Sequence, residues 1–185
     1  MSNAEETVLW ADGLRLQPMW LTPAAEIYEA ARASQREIGR WMEWCHENYQ
    51  QHETEEFLAL LPASWERGDG FCFAIHDAES QRFLGSVGLN NFHPLHSFAN
   101  LGYWVRADAT ARGVASRSTR AVAAWALYHL NLERLEIVVA AGNSASQRVA
   151  EKAGAKREGV LRNRLVLKDG TTDAVMYSLI AEDFL

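Results

Sequence analysis

Short apolar runs separated by polar turns fill the middle of the chain and predict a β-sheet. Residues 71–76, 83–89 and 98–105 are rich in aromatic and aliphatic side chains, and glycine or polar residues bound each run. The polar segment 77–81 fits a hairpin loop between the first two runs. We predict three consecutive strands here, and a further short strand at 14–16.

Helical signals dominate the region before these strands. The pair Thr22-Pro23 is a typical helix start, with the threonine as cap, and predicts a helix over 24–33. A second helical region is predicted through 38–45. A third helix is predicted over 54–66, with Thr54 as its cap and acidic residues in its first turn.

The stretch 101–130 joins a strand to an amphipathic helix, and a β-branched run at 135–140 follows it. This order predicts a strand–helix–strand crossover with two parallel strands. The remaining elements are a short helix over 144–153 and strands over 156–162, 165–167 and 174–180. The whole order predicts an α/β fold of mixed α+β layers, with helices on both faces of a mixed sheet.

The size and composition are those of one globular domain. The 185 residues, 48% of them hydrophobic, are enough for a single core spanning 1–185. No apolar stretch is long enough to span a membrane. Two cysteines, Cys45 and Cys72, cannot build a disulfide framework, so we expect a cytoplasmic protein. Residues 1–4 do not form a signal peptide and resemble a cloning remnant ahead of the native start.

The net charge of −6 argues against a nucleic-acid surface. It suits a cationic acceptor such as a polyamine or a basic protein tail. Mild acidity is also common in proteins of this composition, so the charge alone leaves the acceptor open. We expect neither a nucleic acid nor a membrane as partner.

The loop before the amphipathic helix has the chemistry of a phosphate site. It contains Arg112 and Gly113 and no bulky apolar residue. The first N–H groups of a helix have no partner within the helix and carry partial positive charge. The loop matches neither a P-loop nor a dinucleotide-binding fingerprint.

The segment Thr110-Ala111-Arg112-Gly113-Val114-Ala115 is similar to motif A of the GNAT N-acetyltransferases, usually Gln/Arg-x-x-Gly-x-Gly/Ala. Thr110 departs from the first position of that motif. The likeness covers nearly the whole chain and is closest to the RimJ/RimL-type branch, which modifies protein N-termini. Its other pieces are 40–44, 83–89, 102–105, 143–146, and 151–155 followed by Glu158-Gly159.

The resemblance implies a GNAT-like acyl-CoA N-acyltransferase fold, with a mostly antiparallel sheet and one splayed parallel strand pair. It also implies acetyl-CoA as cosubstrate. The backbone of Trp104, Val105 and Arg106 would then pair with the pantetheine arm. The pyrophosphate would be held by Arg112, Gly113, Val114, Ala115, Ser116 and Arg117. Asn143 would hydrogen-bond the CoA arm, and it is also suited to cap the next helix.

Two residues are candidates for the chemistry on the same resemblance. Ser146 would donate a hydrogen bond or proton to the leaving thiolate, although a serine in a helix first turn can be purely structural. Glu158 is the first candidate for a general base, acting through a water, and its alternative is an exposed strand carboxylate. His93, in the loop 90–97, is the second candidate and could equally be a surface histidine.

The acceptor side would be lined by Trp41, Trp44, Asn90 and the loop that carries His93. The two tryptophans are three residues apart and would share a helix face, where a core role is the alternative. Cys45 and the histidines near it match no zinc-binding spacing, so we expect no metal.

The function expected from the resemblance is direct transfer of an acetyl group from acetyl-CoA to the α-amine of a protein N-terminus, such as that of a ribosomal protein. One alternative keeps the chemistry and changes the acceptor to a polyamine, amino acid or aminoglycoside. Another is an acyl-CoA-binding sensor without catalysis. The family also makes a homodimer plausible.

Overall fold

Eight strands form a single sheet in a computed structural model that describes residues 4–185. The expectation of a cloning remnant falls largely on residues 1–3, outside the described part of the chain. The strands are β1 (Leu9–Ala11), β2 (Leu14–Pro18), β3 (Phe71–Asp77), β4 (Phe83–His93), β5 (Phe98–Val105), β6 (Arg134–Ala140), β7 (Lys156–Leu167) and β8 (Gly170–Leu179). Their spatial order is β1-β2-β3-β4-β5-β6-β8-β7.

Helices cover both faces of the sheet, as predicted. They are α1 (Ala24–Ala33), α2 (Gln35–Ile38), α3 (Gln51–Arg67), α4 (Val114–His129) and α5 (Ser144–Lys152). Single 3-10 turns lie at Ala4–Glu6, Met19–Leu21, Ala107–Ala109 and Ala181–Phe184. Among the described residues, no helix is long and apolar enough to cross a membrane.

Strand β3 contributes side chains to both main hydrophobic cores, one on each face of the sheet. Phe73 and Ile75 are fully buried in the cluster that contains Val122 of α4. Ala74, which points to the opposite face, is buried with Ile27 of α1 and with α3 residues. Because successive strand residues face opposite sides of a sheet, this one strand supports helices on both faces.

The parallel strands β5 and β6 separate after a short pairing. Their registered pairs run only from Phe98–Arg134 to Asn100–Glu136. Beyond that point β5 stays paired with β4 as far as Val105, and β6 stays paired with β8 as far as Ala140. The two strands therefore leave a cleft in the middle of the sheet, which confirms the splayed pair.

The predicted helix over 38–45 is wrong. Helix α2 ends at Ile38, and the chain continues in turns to Cys45. The turns bring the Cys45 carbonyl against Gly39, where a Cβ would lie 2.4 Å from that oxygen. The Cys45 thiol also reaches back to the Ala31 carbonyl, 3.6 Å away. This tertiary packing overrides the helical spacing of the apolar residues.

Both predicted threonine caps are wrong. The residue before α1 is Pro23, and the Thr22 side chain is buried instead, accepting a hydrogen bond from Gln17. Helix α3 begins three residues earlier than predicted, so Thr54 lies inside it and bonds the Tyr49 hydroxyl at 2.8 Å.

Two strands are longer than predicted. Strand β4 continues through His93, so part of the predicted loop 90–97 is sheet. The two runs at 156–162 and 165–167 form one strand, β7, with an irregularity between Leu161 and Leu165. Asn163 lies there with φ +52°, and its N–H donates to Asp173.

Candidate active site

The open edge of β5 faces the cleft. The Arg106 N–H donates to the Leu84 carbonyl of β4 at 2.9 Å. In an antiparallel ladder alternate residues turn their backbone groups to the partner, so Arg106 and Trp104 point to β4. Tyr103 and Val105 then direct their N–H and C=O groups into the cleft, where β6 has diverged.

Of the predicted pantetheine-binding residues, Val105 therefore turns free backbone groups to the cleft. Trp104 and the N–H of Arg106 are turned to β4 instead. The Arg106 guanidinium is also engaged, at 2.7 Å from Asp108 and 3.2 Å from the Phe83 carbonyl. Asp108 accepts from Arg82 as well, and this contact lowers the pKa of the Asp108 carboxyl. These contacts fix the turn that leads from β5 toward α4.

The N-terminus of α4 lies at the end of this turn. Gly113 occupies the position before the helix with φ +74°, and the first intrahelical bond runs from the Arg117 N–H to the Gly113 carbonyl. The N–H groups of Val114, Ala115 and Ser116 precede that bond and have no helical acceptor. The helix dipole adds partial positive charge, so this end of α4 suits a phosphate.

The two predicted arginine ligands differ in their surroundings. Arg112 is exposed. The Arg117 guanidinium turns back on its own loop, donating to the carbonyls of Arg112 and Gly113, and to the backbone and carboxylate of Asp12. Arg117 thus ties the loop to the β1–β2 turn, whereas Arg112 is free of these contacts.

A hydroxyl pair joins the two sides of the cleft. The Tyr103 phenol of β5 donates to the Ser146 carbonyl at 2.9 Å and lies 3.0 Å from the Ser146 Oγ. Burial raises the pKa of Tyr103 to about 12, so the phenol stays protonated. Asn143 caps α5 by accepting from the Ser146 N–H at 3.0 Å. Ser146 is therefore fixed through both its backbone groups.

Glu158 is held in an ion pair. Its carboxylate oxygens accept from both terminal nitrogens of Arg134 at 2.6 and 2.5 Å, and from the Ser178 hydroxyl at 2.7 Å. The hydrogen bonds from Arg134 lower the pKa of Glu158 to about 2. Because a general base works best with a pKa near the operating pH, these contacts disfavour that role and suit a structural one.

A cavity of about 580 Å³ opens on the face of β5 that carries the Trp104 side chain, opposite the face that carries the Tyr103 side chain. It lies between the sheet, α3 and the segment before α3. Trp44 and Asn90 line it, as does Trp104. Trp41 and His93 are not among its lining residues. The Trp41 ring lies against Gly142 in the β6–α5 turn, and His93 stacks on His96 and Phe98 near the end of the β4–β5 hairpin.

Two carboxylates at the cavity were missed from the sequence. Glu53 bonds His46 at 3.0 Å and accepts from the Gln50 N–H, which lowers its pKa. Asp69 bonds Arg67 at 2.7 Å and the Ser64 hydroxyl, and the Arg67 contact lowers its pKa. Both side chains are therefore ionised at neutral pH.

Tyr103 was also missed from the sequence, because no local signal marks it. It lies in the strand motif next to Trp104, yet strand alternation points the two side chains to opposite faces. Its partner Ser146 is 43 residues away. Within residues 4–185, no three His, Cys, Asp or Glu side chains are placed to hold a metal ion.

Comparisons with known proteins agree with this geometry. Residues 14–156 match a family model described as Acetyltransferase (GNAT) domain. The ribosomal-protein-serine acetyltransferase of Escherichia coli K12 is 22% identical over 177 residues, covering 96% of this chain and 98% of the relative.

Two solved structures share the fold. RimL, a ribosomal L7/L12 alpha-N-protein acetyltransferase in complex with coenzyme A, superposes with a TM-score of 0.84 at 19% identity, over 96% of this chain and 99% of its own. RimJ of Mycobacterium smegmatis, in complex with a CoA disulfide, also gives 0.84, at 23% identity over 96% and 87%. Acetyl-CoA is the cosubstrate that this fold accommodates.

Proposed function

Because the chain belongs to the GNAT acetyltransferase family, we propose that it acetylates the N-terminal α-amine of a protein. Acetyl transfer from acetyl-CoA to an amine is the family reaction, and the acceptor is the part we propose. The observation that carries this choice is the ion pair of Glu158 with Arg134, which leaves a poor base at the predicted position.

An acceptor with a low pKa needs little help from a base. A peptide α-amine has a pKa near 7.7–8.0, so roughly 10–20% of it is neutral at pH 7. A lysine-like amine, with a pKa near 10.4, is neutral to less than about 0.1%. A site without a strong base therefore favours the α-amine. The name of the E. coli relative, a ribosomal-protein acetyltransferase, supports a protein acceptor.

The donor would lie in the β5–β6 cleft. The pyrophosphate would bind the N–H groups of Gly113, Val114, Ala115 and Ser116, with Arg112 adding charge. The pantetheine arm would pair with the cleft-facing backbone of Val105 and Tyr103, and Asn143 would bond the arm with its side-chain amide. Arg117 would act by holding the loop in this shape.

In the reaction, the neutral amine attacks the thioester carbon, forming a C–N bond and placing negative charge on the carbonyl oxygen. The positively charged nitrogen formed by the attack gives one of its two protons to water, the oxyanion re-forms the carbonyl as the C–S bond breaks, and the thiolate takes a proton to become the free thiol of CoA. Ser146 would donate a hydrogen bond to the departing sulfur. Orientation of the two substrates supplies a large part of the acceleration, about 7–11 kcal/mol in favourable cases.

The expected cytoplasmic location and homodimer also belong to this proposal. The cytoplasm is where the ribosomal proteins named by the relatives are found. The homodimer rests on the family resemblance alone.

The test is thiol release from acetyl-CoA with two acceptor sets, peptides with free N-termini and small amines such as polyamines and amino sugars. We expect release with the peptides, and loss of release when their N-termini are blocked. Ser146→Ala should lower kcat while calorimetry shows unchanged CoA binding. Release with small amines only would replace the proposed acceptor, and CoA binding with no release from either set would favour a sensor.

A further inference from the structure

The floor of the cavity is made by two glycines that face each other. Gly88 of β4 pairs directly with Gly102 of β5, and both line the cavity. Neither carries a side chain. A Cβ on Gly88 would lie 2.9 Å from the Phe71 carbonyl oxygen, so that position is closed to a larger residue. A Cβ on Gly102 would meet only the Asn100 amide, 3.9 Å away. The chain therefore keeps space at a position where a larger residue would fit.

The walls above this floor are apolar. They include the side chains of Met19, Ile27 and Leu61, all buried, and the half-exposed Phe57 at the rim. A volume of about 580 Å³ lies within the range of roughly 300–1,000 Å³ that is usual for small-molecule pockets.

Most polar groups of the lining bond each other. Tyr49 and Thr54 share a hydrogen bond at 2.8 Å. The Cys72 thiol lies 3.3 Å from the Ser86 hydroxyl. These pairs leave few donors for a polar ligand in the interior. The charged side chains of the lining are two carboxylates: Glu53, whose pKa is lowered by the Gln50 N–H, and Asp69, whose pKa is lowered by Arg67 and whose charge Arg67 compensates.

We propose that this cavity binds the side chain of the acceptor's first residue, and that it selects a large aliphatic or aromatic group over a small polar or acidic one. The inference rests on the proposed function, since it requires a peptide N-terminus as acceptor. The cavity reaches β5 at Gly102 and Trp104, on either side of Tyr103, whose phenol meets Ser146 across the cleft. A first residue seated there places its amine near the donor.

Size and charge should both contribute to the selection. One methylene in an apolar pocket changes kcat/KM by about 10–200-fold. The Glu53 carboxylate repels an acidic side chain, whereas Arg67 compensates the charge of Asp69. Leucine and aspartate are similar in length, so a pair of peptides that differ only in this first residue separates the effect of charge from that of size.

The experiment measures kcat/KM for four peptides that begin with Leu, Phe, Ser or Asp and share the rest of their sequence. We expect Leu and Phe to exceed Ser and Asp by tenfold or more. In Gly102→Val, the larger side chain should remove most of that preference while the affinity for CoA, measured by calorimetry, stays within twofold.

A matched pair of variants tests the rim. Phe57→Ala should lower kcat/KM for the Leu and Phe peptides about threefold to tenfold. Leu60→Ala, on the same helix with 67% of its surface exposed and outside the cavity, should leave all four values unchanged. Faster reaction of Ser than of Leu and Phe in the unmodified protein would overturn the inference and keep the peptide acceptor. Failure of all four peptides, with CoA bound, would overturn the proposed function itself.

Discussion

The Tyr103 phenol oxygen lies 3.0 Å from the Ser146 Oγ, and it is the contact that spans the cleft between β5 and α5. The phenol has one hydrogen and two acceptors on Ser146, the carbonyl and Oγ. When it donates to Oγ, the serine hydrogen is released to point at another acceptor, such as a sulfur. Tyr103 therefore acts as a positioning residue for Ser146.

Tyr103→Phe should lower kcat about twofold to tenfold, because a hydrogen bond of this kind contributes roughly 0.5–1.5 kcal/mol. The KM for acetyl-CoA should change less than twofold, since the backbone of residue 103 is retained. In Ser146→Ala the same substitution should have no further effect, which a double-mutant cycle measures. Additive losses of kcat in the double variant would show that Tyr103 and Ser146 act independently and would contradict the positioning role of Tyr103.

Glu158→Gln should act on stability more than on turnover. The folded pKa of Glu158 is about 2, below its ordinary value of 4.5. A depressed pKa contributes stability above pH 4.5, and the contribution is lost as the pH falls from 4.5 toward 2. Since 41% of the side chain is exposed, screening reduces the effect to about 1 kcal/mol.

Urea denaturation of the two proteins at pH 7 and at pH 2–3 checks this expectation. The difference in unfolding free energy should be present at pH 7 and shrink at the lower pH. The kcat of Glu158→Gln should fall less than threefold. A loss of kcat above a hundredfold with unchanged stability would restore Glu158 as the general base that the family resemblance implied.

Local patterns were sufficient for the crossover that builds the site. The strand at 98–105, the glycine before α4 and the β-branched run at 135–140 each carry a short-range signal, and their order fixes parallel strands. The splay of the two parallel strands was implied by the family resemblance alone. The sequence of one strand does not show where its pairing with a distant strand ends.

Long-range contacts account for what the sequence did not reveal. Glu158 was the first candidate for the general base because the sequence does not show its ion pair: Arg134, its partner, lies two strands away in the sheet order, across β8. The early end of α2 depends on Gly39 meeting the Cys45 carbonyl. The roles of Glu158 and Ser146 in chemistry stay predictions, and the experiments above address both.

Gly113→Ala should weaken CoA binding as well as stability. A residue with a Cβ at φ +74° costs about 1–2 kcal/mol. In the proposed donor site, the added methyl would stand beside the N–H groups of α4 that receive the phosphates. Gly68→Ala is a matched control, because Gly68 also has φ +74° at the end of α3 and has open space around it. The two variants should lose melting temperature by similar amounts. Calorimetry should show weaker CoA binding only for Gly113→Ala. Equal CoA affinities would remove Gly113 from the donor site.

Arg112 and Arg117 should respond differently to neutralisation, because only Arg112 lacks the contacts that hold Arg117 to its own loop. Arg112→Gln should raise the Kd for CoA about threefold to tenfold at low salt, and the difference from the unmodified protein should shrink at 0.5 M salt, since exposed charges are screened. Arg117→Gln should also lower the melting temperature, because it releases the loop from Asp12. Arg162→Gln, an exposed arginine on β7, controls for the change in net charge. A salt-independent loss in Arg112→Gln would mean that its side chain shapes the loop without meeting the phosphates.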